Sequence, residues 1–150
     1  MAHSLHDPAL VASLHGRLDA LRADSPRQWG TMTVQQMLAH CARGAEMALG
    51  DRTPPRILMG RLLGPLVKRM ILKDDSPMMR NAPTAPSLVV ADQPQLDAER
   101  TRLHVLIDRF ASGPAACTTH PHPFFGTMTP DEWGILAYKH LDHHLRQFGV

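Results

Sequence analysis

The chain has few aromatics, few cysteines and little net charge, and each shortage excludes something. Two Trp, one Tyr and four Phe in 150 residues leave a core that aliphatic side chains and methionine must fill. The two cysteines, Cys41 and Cys117, lie far apart and outside any CxxC pair, which excludes a disulfide framework. A net charge of +2 gives no electrostatic case for nucleic acid. The first residues, Met-Ala-His-Ser-Leu-His-Asp, are polar and carry no secretory signal, so a cytoplasmic protein is expected. No apolar run is long enough to span a bilayer, no internal repeat is visible, and nothing alternates as a strand does. At this length residues 1–150 are expected to form one domain large enough to bury a proper core.

What is present is helical punctuation. Asp7-Pro8 is a cap with proline at the first helical position, and Leu10, Val11, Leu14, Leu18 and Leu21 follow at helical spacing to about Ala23. Thr33 with Gln36 predicts a capping box and a helix to about Leu49. Ile57 to Lys73 is a third apolar segment, interrupted by Gly60, Gly64 and Pro65. Asp74 to Pro94, with Pro77, Pro83, Pro86 and Pro94, reads as a long loop with Leu88-Val89-Val90 tucked in. A helix is expected from about Gln95 to Ala111, with Leu96, Leu103, Leu106, Ile107 and Phe110 on one stripe. Thr129-Pro130-Asp131-Glu132 then opens a last helix that runs nearly to the end. The predicted fold class is all-α: an antiparallel four-helix bundle with an extra helix in the crossover.

Ten histidines are the chemical surplus, and three fall at positions 140, 143 and 144. His140 and His144 are one helical turn apart, so both rings lean from one face and can grip one ion. On a helical wheel Trp133, Leu136, Ala137 and Phe148 share their side, so these rings sit on an apolar stripe and need partners. Asp142, Arg146 and Lys139 fall opposite, as a solvated face, and His143 falls on the polar margin. A metal site commonly takes three protein ligands. The second helix offers His40 at the edge of its buried face, with Gly44 one turn on leaving room for an ion and a small ligand. A histidine hydrogen-bonded at a helix interface is the alternative.

The phrases Trp29-Gly-Thr-Met-Thr-Val-Gln-Gln-Met-Leu-Ala-His40, His122-Pro-Phe-Phe-Gly126, Thr129-Pro-Asp-Glu-Trp133 and His140-Leu-Asp-His-His-Leu-Arg-Gln-Phe-Gly149 carry a resemblance. The chain resembles the DinB/YfiT-like superfamily of metal-dependent bundle proteins, and within it a bacterial branch long labelled a domain of unknown function. The resemblance runs from about residue 10 to the end and is weakest over roughly 50–95. It implies a four-helix bundle, often a homodimer, with a divalent metal held by three histidines. Carried over by position, these are His40, His140 and His144. Some members of the superfamily are thiol transferases that activate a low-molecular-weight thiol, and others have no known reaction.

The remaining candidates are weaker. His122 is a candidate to line the pocket or orient a ligand, with an exposed turn histidine as the alternative. Gln147, one turn after His144 on the inward side, is placed to hold a ligand histidine or a metal-bound water. Cys41 is rotated about 100° from His40 into the core and reads as a small buried hydrophobe. His104 reads as structural. Arg56 to Lys73 carries five basic residues and no acidic one. Its expected role is a helix packed through Met59, Leu63, Leu66, Val67 and Met70, with a solvated basic face, the alternative being a helix lying on an anionic membrane surface. Arg61 or Lys68 is a candidate to help bind an anionic thiol such as glutathione. The functional expectation is a divalent-metal enzyme, with zinc or nickel ahead of iron, acting on a small-molecule substrate as a thiol S-transferase. A non-catalytic stress-related or binding bundle and a metal-dependent hydrolase are the alternatives.

Overall fold

The caps written in the sequence set the helix starts. In this computed structural model, which describes residues 2–150, Asp7 accepts from the Ala9 amide at 2.9 Å and starts α1, Pro8–Ala20. Thr33 and Gln36 close a reciprocal capping box on α2, Val34–Leu49, and Thr129 and Glu132 close another on α5, Pro130–Gln147. Between them lie α3, Leu58–Leu72, and α4, Leu96–Ala111, with short 3-10 turns at Pro86–Leu88 and Pro114–Ala116. Among the described residues there is no strand. Only an isolated bridge between His122 and Gly126 closes a tight turn. The fold is all-α.

The apolar stripes of α1, α2, α4 and α5 meet in one contiguous core. α2 packs most extensively along α4 and also against α5, while α1 lies against both α4 and α5. Leu14, Leu18, Met37, Leu38, Leu103, Ile107, Phe110 and Leu145 are fully buried, each stabilising the fold by about 1.5–3 kcal/mol. At the α1–α4 seam Asp19, His104, His15 and Asp108 form a hydrogen-bonded chain, which gives His104 the structural role expected of it.

Four local expectations are corrected. α1 ends at Ala20 rather than about Ala23, because the Leu21 amide folds back to the Leu18 carbonyl and the Arg22 amide bonds the Ser25 hydroxyl. Leu21 stays in the core from an extended backbone. Lys139 is buried rather than solvated: its ammonium donates to the carbonyls of Ile71 and Asp74, both at 2.7 Å, and so caps the end of α3.

α3 packs through the opposite side from the one its wheel suggests. Its apolar side faces outward, with Met59, Leu63, Leu66 and Met70 exposed alongside Leu58 and Leu62. The packed side holds Gly60 and Gly64. A Cβ on Gly64 would fall 2.0 Å from the Phe124 carbonyl oxygen, and one on Gly60 would fall 2.6 Å from the Phe124 Cα. The backbone of the 122–126 turn therefore lies directly on the helix, an approach that only glycine allows. The segment between α3 and α4 crosses back over α2: the Arg43 guanidinium bonds the Val89 carbonyl and Leu88 packs on the core, whereas Val89 itself is exposed. Among the described residues no helix is long and apolar enough to cross a membrane.

Candidate metal centre

α2 and α5 bring three imidazoles to one point. The ring centroids of His40, His140 and His144 are 4.6–4.8 Å apart pairwise. One nitrogen from each ring lies within 4.8 Å of the others. Nitrogens bound to one ion at about 2.1 Å can be at most about 4.2 Å apart, so small ring rotations suffice for all three to reach it. His40 and His144 are buried, at 4% and 8% exposed, and His140 keeps a partial exposure.

The hydrogen bonds fix the tautomers. The Leu88 carbonyl can only accept, so His40 donates to it from Nδ1 at 3.0 Å and its Nε2 carries a lone pair. That Nε2 faces Nε2 of His140 at 2.8 Å, so His140 supplies the proton between them. His144 donates from Nδ1 to Oε1 of Gln147 at 2.8 Å. The Gln147 amide is oriented in turn by donating to the Trp29 carbonyl at 2.9 Å. Two of the three rings are thus anchored through Nδ1 by oxygen acceptors that leave Nε2 for a ligand, the usual arrangement around a ligating histidine.

Glycines make the room. A Cβ on Gly44 would stand 3.1 Å from Cε1 and Nδ1 of His140, so this position holds the ring's place on α2. A Cβ on Gly30, where φ is +78°, would collide with the Gln147 amide at 2.5 Å. The Trp29-Gly30 phrase is therefore the seat of Gln147.

The electrostatics favour neutral rings. Burial, reinforced by the His40 charge when present, pushes His144 down to about 3. Burial and the two neighbouring imidazoles hold His140 well below the imidazole range. His40 is lowered by burial, only partly offset by its bond to the Leu88 carbonyl. Neutral imidazole is the form a metal binds. Three neutral, converging imidazoles, two of them anchored through Nδ1, could hold a metal ion.

The other sequence candidates fall outside this point. His143 packs its ring against Trp29 at 5.3 Å, on the outer side of His144. Arg80 stacks over that indole, 4.2 Å from its centroid. Nδ1 of His122 accepts the amides of Phe124 and Phe125, both at 3.1 Å, and the ring stacks on Phe125. It builds the turn, and burial lowers it to about 4. Cys41 is buried against Met37 with its thiol pushed up by burial, as a core residue should be. Cys117 and His120 join no metal-binding group among the described residues. Two partners of the cluster have no sequence signal because they are carbonyls, those of Leu88 and Trp29.

A family model described as Protein of unknown function (DUF1569) matches residues 1–149. The chain belongs to this family. No curated protein and no solved structure matches it. In this DUF1569 chain the histidine cluster is the group of three metal-ligating side chains, among the described residues, placed to hold one ion.

Proposed function

We propose that this DUF1569 protein is a DinB/YfiT-type four-helix bundle that holds one divalent metal ion on His40, His140 and His144. We further propose that it uses the ion to transfer a low-molecular-weight thiol to an electrophile, as a cytoplasmic homodimer. The observation that carries the reading is the double anchoring of His40 by the Leu88 carbonyl and of His144 by Gln147. A structural histidine pair needs no such orientation of both outer nitrogens.

Bound there, such an ion supplies a Lewis acid that lowers the pKa of a thiol or water. The chain's own residues do the rest. Leu88 and Gln147 hold two rings at fixed tautomers. His140 frees its Nε2 by moving that proton to Nδ1, on the side where Gly44 leaves space. His140, the least buried of the three residues, marks the side from which a small substrate would approach. The histidine group contains no Asp or Glu, which favours thiol transfer over hydrolysis, since hydrolysis would draw on a carboxylate base. The exposed apolar side of α3 supports self-association.

The test is turnover with a small thiol and an alkyl or epoxide electrophile, measured on protein with and without added zinc or nickel. The proposal expects product formation that is lost in a folded His144→Ala variant. Metal retention with no turnover on any thiol would leave a non-catalytic binding bundle as the function.

A further inference from the structure

A second cleft lies away from the three clustered histidines. It lies between α3 and the 122–127 turn, has a volume of about 570 Å³, and is lined by Arg56, Arg61 and Lys68 together with Phe125, Gly126 and Thr127. Three cations line one cavity, and two of them have no carboxylate partner. Arg56 donates from Nε to the Pro123 carbonyl at 3.2 Å and from Nη2 to the Gly60 carbonyl at 3.3 Å. Among the described residues neither Arg56 nor Arg61 is paired with a carboxylate. Lys68 has a carboxylate partner, Glu132, at 2.8 Å. That carboxylate also accepts the Thr129 amide in the α5 capping box, so it cannot turn to the arginines. The cleft keeps two uncompensated positive charges.

The guanidinium of Arg56 is built in, not merely present. Its Nη1 lies 3.1 Å from where a Cβ on Gly126 would sit, and Gly126 is buried with φ at +81°. The turn therefore holds a glycine where any side chain would displace the guanidinium. Two carbonyls fix the plane of the fork, and Nη1 is left without a protein partner. A fixed guanidinium with a second arginine and a lysine on the same wall matches the bidentate geometry of an oxyanion.

We propose that this cleft binds a small ligand through a multiply charged oxyanion group, with Arg56 as the fixed fork and Arg61 and Lys68 as the flanking charges. The shared chemistry is a phosphate-like group, carried by a free metabolite or by a phospholipid head beside the exposed apolar side of α3. The cleft's lining includes none of the three clustered histidines, so binding there does not draw on a metal held by them.

The test is calorimetric titration of the full chain with inorganic pyrophosphate, and, in parallel, sedimentation with vesicles containing phosphatidic acid. Binding of pyrophosphate tighter than about 1 mM is expected. Arg61→Ala, at an exposed position that leaves the fold intact, should weaken it about tenfold or more. Arg56→Lys should weaken it similarly while keeping the charge, and His144→Ala should leave it unchanged. Vesicle binding that responds to the same arginine variants, without pyrophosphate binding, would assign the oxyanion to a lipid head. Failure of both ligands to bind overturns the proposal. So does binding that ignores both arginine variants, or binding that is lost in His144→Ala instead.

Discussion

Gln147 touches no ligand position itself, yet it fixes which nitrogen of His144 can bind. Replacing it with Leu removes the acceptor for Nδ1 and leaves the Trp29 carbonyl without its donor. The expected outcome is a metal affinity lower by about 10–100-fold with the fold retained, read by competition with a chromophoric chelator. Gly44→Ala separates site from fold in another way. Alanine favours the helix by about 1 kcal/mol over glycine, but its Cβ crowds the His140 ring at 3.1 Å. Thermal stability of the metal-free chain should stay within about 1 kcal/mol of the parent, while metal affinity falls.

The same burial that keeps the rings neutral makes the fold acid-sensitive. His144 at about 3 and His122 at about 4 lie below the unfolded imidazole value of about 6.5. Between those limits the unfolded chain binds more protons, so stability is full above about 6.5 and falls as pH drops toward the folded values. At pH 5 each ring that stays neutral costs on the order of 1–2 kcal/mol. Urea midpoints should therefore fall between pH 7.5 and pH 5, and an unchanged midpoint would contradict the neutral-ring description.

At the scale of elements, caps and periodicity carried most of the fold into the sequence. Asp7, Thr33 and Thr129 announce their helices because each offers a side-chain oxygen to an amide that has no helical partner. Thr129→Ala should cost about 1 kcal/mol by thermal denaturation. The histidine trio was legible for a similar reason: spacing of four on α5 and a core-edge position on α2 are local facts. The orientation of α3 was not legible. A wheel finds its apolar side, but which side packs is decided by Gly60 and Gly64 meeting the Phe124 backbone, a contact 60 residues away in the chain. Lys139 misleads in the same way, since its burial depends on where α3 ends. The carbonyls of Leu88 and Trp29 are beyond any reading by residue type, because every residue has one.

At the scale of the whole molecule, the core joins α1, α2, α4 and α5, while α3 stands outside with most of its large side chains in solvent and Leu72 reaching the core. Leu62, at 75% exposed, lies on that outer side. In the homodimer proposed above, Leu62→Glu should shift light-scattering mass from dimer toward monomer with no loss of helicity, and a parent chain that is monomeric at micromolar concentrations would remove the dimer.

In the proposed function α2 and α5 hold one ion between them, and metal content is the decisive readout. Protein purified without a histidine tag or metal column, then incubated with zinc and desalted, should retain about one ion per chain by elemental analysis. His40→Ala, His140→Ala and His144→Ala should each lose it, whereas His143→Ala should keep it. Retention that survives all three ligand changes, or a parent chain that holds no zinc or nickel, would remove the metal centre.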